Sequence, residues 1–168
     1  MNNPSKNRKH ILFLAQSALI AALYTVLTVI VGSFGLASGV IQVRVSESLC
    51  ILPIFTPAAS PGLTLGCLLS NLFMASLWQD VLFGTLATLL GALGAYLLKK
   101  YFWAVPIPTV IANTLIIPPV LAYAYGFEGG IGYFALTVGL GEVISAYILG
   151  LLLYFALKPH EKRLFPKF

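Results

Sequence analysis

Glu142 stands in Gly139-Leu140-Gly141-Glu142, inside a long apolar run and with no basic neighbour in sequence. A buried carboxyl group of this kind must be protonated, paired, or matched by a ligand, and ligand contact is the stronger reading. Arg44 and Glu47 lie three apart in Gln42-Val43-Arg44-Val45-Ser46-Glu47. On a helix they would share a face and pair. They are then either a structural pair that fixes a loop to the next helix, or one wall of a ligand site. Charges at membrane depth usually face an interior or a watered cavity. Gln42 adds a donor and an acceptor beside them. Asn71 and Asn113 each sit in apolar sequence, where an amide is either interhelical glue or a ligand contact. Asp80 opens an apolar stretch and reads first as an N-terminal helix cap, bordering the same cavity. Trp78 either anchors at the membrane interface or stacks on a planar ligand.

Glu47, Asp80 and Glu142 outnumber Arg44 among these groups. A cavity built from them is net acidic when all are ionised, which favours a neutral or cationic solute with several hydrogen-bond donors. Catalysis is poorly served. No nucleophile–base pair is visible. His10 and His160 lie near the ends, and Cys50 and Cys67 sit in apolar sequence without metal-ligand spacing, so they read as packing residues. The expectation is therefore a binding protein that is not an enzyme and carries no metal or cofactor.

The elements that must position these groups are membrane helices. The chain is 59% hydrophobic and only 9% charged, against roughly 25% charged in a soluble domain, and its mean hydropathy is +0.94. Long apolar runs cover most of the 168 residues, so residues 1–168 read as a single membrane domain with short tails at about 1–10 and 158–168. The first run follows a short basic region but is longer than a signal-peptide core, and reads as a retained helix. Six spans are expected: Ile11 to Val31, Val40 to Phe55, Gly62 to Trp78, Asp80 to Leu98, Pro106 to Tyr123, and Ile131 to Leu157. The fold class expected is an all-α integral membrane protein, a compact bundle of six transmembrane helices. The second span falls short of the about 20 residues that cross a ~30 Å hydrocarbon core, unless the preceding loop dips into the protein. Pro118 and Pro119 should end or kink the fifth.

Basic residues set the orientation. Lys6, Arg8 and Lys9, then Lys99 and Lys100, then Lys158, Lys162, Arg163 and Lys167 flank the apolar runs. The positive-inside rule puts the N-terminus and C-terminus in the cytoplasm of a cell (plasma) membrane protein. The net charge of +5 is thus directed at anionic lipid headgroups, not nucleic acid. No GxxxxGK[ST] phosphate loop is present and no internal repeat is evident. Energy for uphill movement would come from an ion gradient or a partner, and six short helices are few for a solitary carrier, which points to a subunit. Ala15, Ala18 and Ala22 form a small-residue face on the first helix that serves either bundle packing or docking of another membrane subunit. Similar faces follow at Gly84, Ala87, Gly91 and Ala95, and at Gly139, Glu142, Ala146 and Gly150.

The stretch Arg44-Val45-Ser46-Glu47-Ser48-Leu49-Cys50-Ile51-Leu52-Pro53-Ile54-Phe55-Thr56-Pro57, with Ser60-Pro61-Gly62-Leu63 and Gly66-Cys67 after it, resembles the hallmark of the queuosine-precursor transporter family. Asp80 to Leu90 and Val138 to Glu142 fit the same family. The resemblance implies a substrate-binding S component of an energy-coupling factor (ECF) transporter, with an outward cavity partly covered by a loop at about Gly32 to Ile41. It implies partners, too: a transmembrane coupling subunit of EcfT type, met by the Ala18 and Ala22 face, and two cytoplasmic ATPases. The implied substrates are 7-deazaguanine precursors of queuosine. A carboxylate can accept two donors of such a base edge, with Glu142 or Glu47 facing the base and Asn71, Asn113 or Gln42 at its carbonyl. The acidic cavity favours the aminomethyl form (preQ1) over the cyano form. An S component for another vitamin such as a corrinoid, or a stand-alone secondary transporter, is the alternative.

Overall fold

Glycines decide how closely the first helices approach. Gly62 and Gly66, four apart on one face, let helix α2 (Ala59–Phe73) lie directly on helix α1 (Pro4–Ser33). A Cβ at Gly62 would meet the Ser17 carbonyl oxygen at 2.8 Å, and one at Gly66 would meet Tyr24 Cβ at 2.6 Å. Small residues of this spacing are how membrane helices gain packing contact where no hydrophobic drive separates protein from lipid. The remaining helices are α3 (Trp78–Leu97), α4 (Ile107–Pro119), α5 (Ile131–Glu142), α6 (Leu149–Leu157) and a last turn, α7 (Glu161–Leu164). A 3₁₀ segment, Val45–Ile54, precedes α2. This computed structural model describes residues 4–34, 43–74, 76–126 and 128–166.

The expected count of six transmembrane helices is corrected to four. Among the described residues the helices long and apolar enough to cross a membrane are Asn7–Ser33, Trp78–Leu97, Ile107–Ala124 and Ile131–Leu164. The expected second span is the 10-residue 3₁₀ segment Val45–Ile54, about 20 Å long at 2.0 Å per residue. The expected third is the 15-residue α2, about 22 Å long at 1.5 Å per residue. Neither reaches the ~30 Å of a hydrocarbon core. The start of the first is polar, with Ser46, Glu47 and Ser48 all buried inside the protein rather than facing lipid. Trp78 does not close α2; it opens α3.

The prolines of α4 mark its two ends. Pro106 and Pro108 stand at its start, where missing N–H donors cost little. Pro118 and Pro119 are followed by a π-helical turn, Val120–Ala124, that carries the helix on. A second π turn, Val143–Ile148, joins α5 to α6 directly after Glu142. Such turns widen the backbone where a side chain or proline disturbs the regular ladder, and they concentrate at functional positions.

Aromatic stacking ties one end of the bundle together. Phe55 stacks on Tyr154 at 5.7 Å and on Phe165 at 5.1 Å, and Phe102 stacks on Tyr154 at 5.0 Å. Ser17 donates to the Ala58 carbonyl at 3.0 Å nearby. The N-terminal half of α1, the turn holding Lys99 and Lys100, and the C-terminal Lys158, Lys162 and Arg163 therefore share one end. Asn71, Asp80 and Tyr125 share the other: Asn71 Nδ2 donates to the Asp80 carbonyl at 3.4 Å, and Tyr125 Oη donates to Asp80 Oδ2 at 3.1 Å.

The small-residue faces sort themselves by exposure. Gly84, Ala87, Gly91 and Ala95 are buried, and a Cβ at Gly91 would collide with Thr109 Oγ1 at 2.7 Å. Ala146 and Gly150 are buried as well. These faces pack inside the bundle. Ala15, Ala18 and Ala22 are exposed on α1, whose inward side is Ser17, Ile20, Ala21 and Tyr24.

Candidate functional site

Arg44 and Glu142 face one small cavity of about 10 Å³, with Ile117 and Val138 as its apolar walls. Arg44 comes from the residue just before the 3₁₀ segment, Ile117 from α4, and Val138 and Glu142 from α5. Val138 and Glu142 are one turn apart and so point the same way. Glu142 is only 6% exposed, and its Oε2 has no hydrogen-bond partner. Asn113, 4% exposed and adjacent to the Glu142 carboxyl group, has its Nδ2 equally unpartnered. Buried polar atoms are nearly always satisfied. The Asn113 amide is near enough to interact with the Glu142 carboxyl group, although neither atom makes a well-formed hydrogen bond.

Glu47 does not join this pair. Its Oε1 accepts a hydrogen bond from Tyr24 Oη on α1. No ion pair to Arg44 forms within 4.0 Å; among the described residues the ion pair is Lys158–Glu161 at 2.8 Å. Arg44, half-buried, lines the cavity without pairing to Glu47. Burial opposes the Arg44 charge, but neighbouring acids, Asp80 foremost, outweigh it and raise the Arg44 pKa, so the guanidinium stays protonated.

The other sequence-derived residues lie further out. Asn71 spends its amide on Cys67 Sγ at 3.6 Å and on the Asp80 carbonyl, tying α2 to α3. Asp80 sits in the first turn of α3, where a carboxylate favours the helix dipole, and it accepts from Tyr125. Trp78 is 69% exposed and lies outside the cavity lining. Gln42 and the greater part of the loop at 32–41 lie outside the described residues.

Sequence reasoning missed Tyr24, Thr28 and Ser145. Thr28 Oγ1 and Ser46 Oγ share a hydrogen bond of 2.8 Å, and Ser145 Oγ accepts from the Arg44 backbone N–H at 3.0 Å. The phenol of Tyr24 was the available signal: a tyrosine in the middle of an apolar helix needs a partner when buried.

The model of the QueT transporter family matches residues 14–159, a stretch that contains every one of these cavity residues. The chain belongs to the QueT transporter family. A relative from Lactococcus lactis subsp. cremoris (strain MG1363), described as the queuosine precursor transporter QueT, is 40% identical over 91 residues. That alignment takes in 51% of this chain and 53% of the relative, so it spans about half the length of that curated protein. No solved structure matches the chain. QueT membership makes this a transport family rather than a catalytic one, and among the described residues no group of three or more His, Cys, Asp or Glu is placed to hold a metal ion.

Proposed function

We propose that this QueT family member is the substrate-binding membrane subunit of an ATP-driven uptake system for a 7-deazaguanine precursor of queuosine. One observation carries the reading. Glu142 Oε2 and Asn113 Nδ2 are buried close to each other, and neither makes a well-formed hydrogen bond. A 7-deazaguanine offers an exocyclic amine, a ring N–H and a carbonyl in a row. The carboxylate accepts the two donors, and the amide donates to the carbonyl. Ile117 and Val138 supply apolar surface for the ring faces, and Arg44 adds donors from the facing wall. The name of the Lactococcus relative agrees with this substrate class.

Charge supports the aminomethyl form over the cyano form. Glu142, Glu47 and Asp80 surround a single cation, Arg44. A ligand ammonium gains from that field, whereas a nitrile does not. In direct binding measurements, the aminomethyl compound is expected to bind about 10-fold tighter than the cyano compound, the value of roughly one charge-assisted contact. Equal affinity for the two would remove the charge argument while leaving base recognition intact.

The end that carries Arg8, Lys9, Lys99, Lys100, Lys158, Lys162 and Arg163 faces the cytoplasm in this reading, with both termini inside. Four crossings, an even number, agree with termini on one side. The exposed Ala15, Ala18 and Ala22 lie on α1 toward that end, where an EcfT-type coupling subunit with two ATPases would dock through close helix packing. Ala18→Trp is expected to leave substrate binding within about 2-fold, because the side chain points away from the bundle, and to abolish most ATP-dependent uptake in the reconstituted complex. Undiminished uptake by that variant would place the docking surface elsewhere. Uptake by the subunit without the ATPases would instead favour a stand-alone carrier.

A further inference from the structure

The 3₁₀ segment Val45–Ile54 is 10 residues long, whereas runs beyond about 3–4 residues are uncommon because their hydrogen bonds are poorly aligned. Something outside the segment must hold it. Its first turn is gripped from two sides. From α1, Tyr24 Oη donates to Glu47 Oε1 and Thr28 Oγ1 meets Ser46 Oγ at 2.8 Å. From the π turn after Glu142, Ser145 Oγ accepts the Arg44 N–H at 3.0 Å, and the Ala146 carbonyl accepts from Cys50 Sγ at 3.6 Å. Ser46, Glu47 and Ser145 are all buried to 2% exposure or less. At that burial a polar group without its partner is costly.

These contacts bear on the cavity directly. Ser145 is three residues beyond Glu142, so the hydrogen bond to Arg44 joins the two facing walls behind the space between them. Tyr24 fixes the carboxylate of Glu47 on the opposite side of the same turn, and the close packing of Gly66 against Tyr24 Cβ fixes Tyr24 itself. The turn can neither slide along α1 nor swing away from α5 without breaking buried hydrogen bonds.

We propose that Tyr24 and Ser145 are positioning residues that clamp the Arg44–Glu47 turn as a preformed cavity wall, with Glu47 the anchor of that clamp and not a contact of the solute. Preformed walls spare the ordering cost that a mobile loop imposes on binding. The inference rests, for its binding consequences, on the reading that the cavity takes a 7-deazaguanine; its structural consequence does not.

The test uses the full-length protein in nanodiscs with 7-aminomethyl-7-deazaguanine as probe, and hydrogen exchange of the ligand-free protein. Tyr24→Phe and Ser145→Ala each weaken binding about 10-fold, one buried hydrogen bond's worth, and speed amide exchange across residues 43–50. In an Arg44→Ala background neither change costs more than about 2-fold further, because each acts through Arg44. Glu47→Gln, which keeps an acceptor for Tyr24, stays within about 3-fold of wild type. Full additivity with Arg44→Ala overturns the positioning role, and a Glu47→Gln loss as large as that of Glu142→Gln makes Glu47 a solute contact. Should Tyr24→Phe fail to fold, Ser145→Ala carries the same comparison alone. If wild type does not bind the probe, the substrate reading fails by itself. The clamp is then decided by exchange: faster exchange in both variants upholds it, and unchanged exchange overturns it.

Discussion

Glu142→Gln is expected to weaken binding of 7-aminomethyl-7-deazaguanine by about 100-fold or more. In the proposed pose the carboxylate accepts two hydrogen bonds from the base edge, and bonds to a charged acceptor contribute about 1.5–3 kcal/mol each. Glutamine keeps one acceptor oxygen and turns an NH₂ group toward a ligand donor, so one bond is lost and a repulsive contact replaces it. Folding should not suffer. Glu142 Oε2 has no partner in the ligand-free protein, and removing an unmatched buried acid relieves a desolvation cost. Thermal melting in the absence of ligand is therefore expected to stay level or rise, while the stabilisation conferred by ligand disappears. A variant that melts lower and still binds would assign Glu142 to the bundle rather than to the solute.

A change on the ligand side should produce a still larger effect. In a 7-deazaadenine the edge is inverted: an amine replaces the carbonyl, and an unprotonated ring nitrogen replaces the N–H. The amine would face Asn113 Nδ2 and the ring nitrogen would face Glu142, two mispaired contacts in a cavity where both protein atoms are buried. Sites built around hydrogen bonds reject an analogue that leaves those groups unmatched far more strongly than apolar pockets reject a change of size. At about 2 kcal/mol for each mismatch, the deazaadenine should bind about 1000-fold more weakly than the deazaguanine. Competition binding with the two bases measures this. A difference below about 10-fold would mean that shape and stacking between Ile117 and Val138, not the polar edge, select the solute.

Much of this site was legible in the sequence because charge in apolar surroundings is conspicuous. Glu142, Asn113 and Arg44 stood out for that reason, and the cavity brings Arg44 and Glu142 together with Asn113 beside them. Their spacing was less informative. Arg44 and Glu47 suggested a helical pair, yet the backbone at Arg44 is extended, with φ −103° and ψ 93°, so Glu47 turns to Tyr24 instead. The phenol of Tyr24 was visible in its own helix, but nothing in the local pattern around Glu47 pointed to it. The span count failed for a related reason. Hydropathy registers apolar residues whether they face lipid or protein, and much of Val45–Ile54 is buried inside the bundle. Its apolar content mimics a crossing helix, while its length and its 3₁₀ backbone do not permit one. The prolines were legible as well. Pro118 and Pro119 suggested an end or kink, and the regular α-helix does end at Pro119, where a π turn takes over to Ala124. Exposure was beyond sequence altogether: three alanine and glycine faces look alike in the chain, and only packing separates the open one at Ala15, Ala18 and Ala22 from the two buried ones.

Binding of a deazapurine by the Glu142 and Asn113 edge is the claim on which the rest depends. Mass spectrometry of the solute released from the purified protein tests it most directly, with wild type and Glu142→Gln prepared side by side from cells supplied with queuosine precursors. Wild type should release 7-aminomethyl-7-deazaguanine in near-stoichiometric amount, and Glu142→Gln should release little or none. Release of a solute lacking the donor–donor–acceptor edge, retained equally by both proteins, would contradict it.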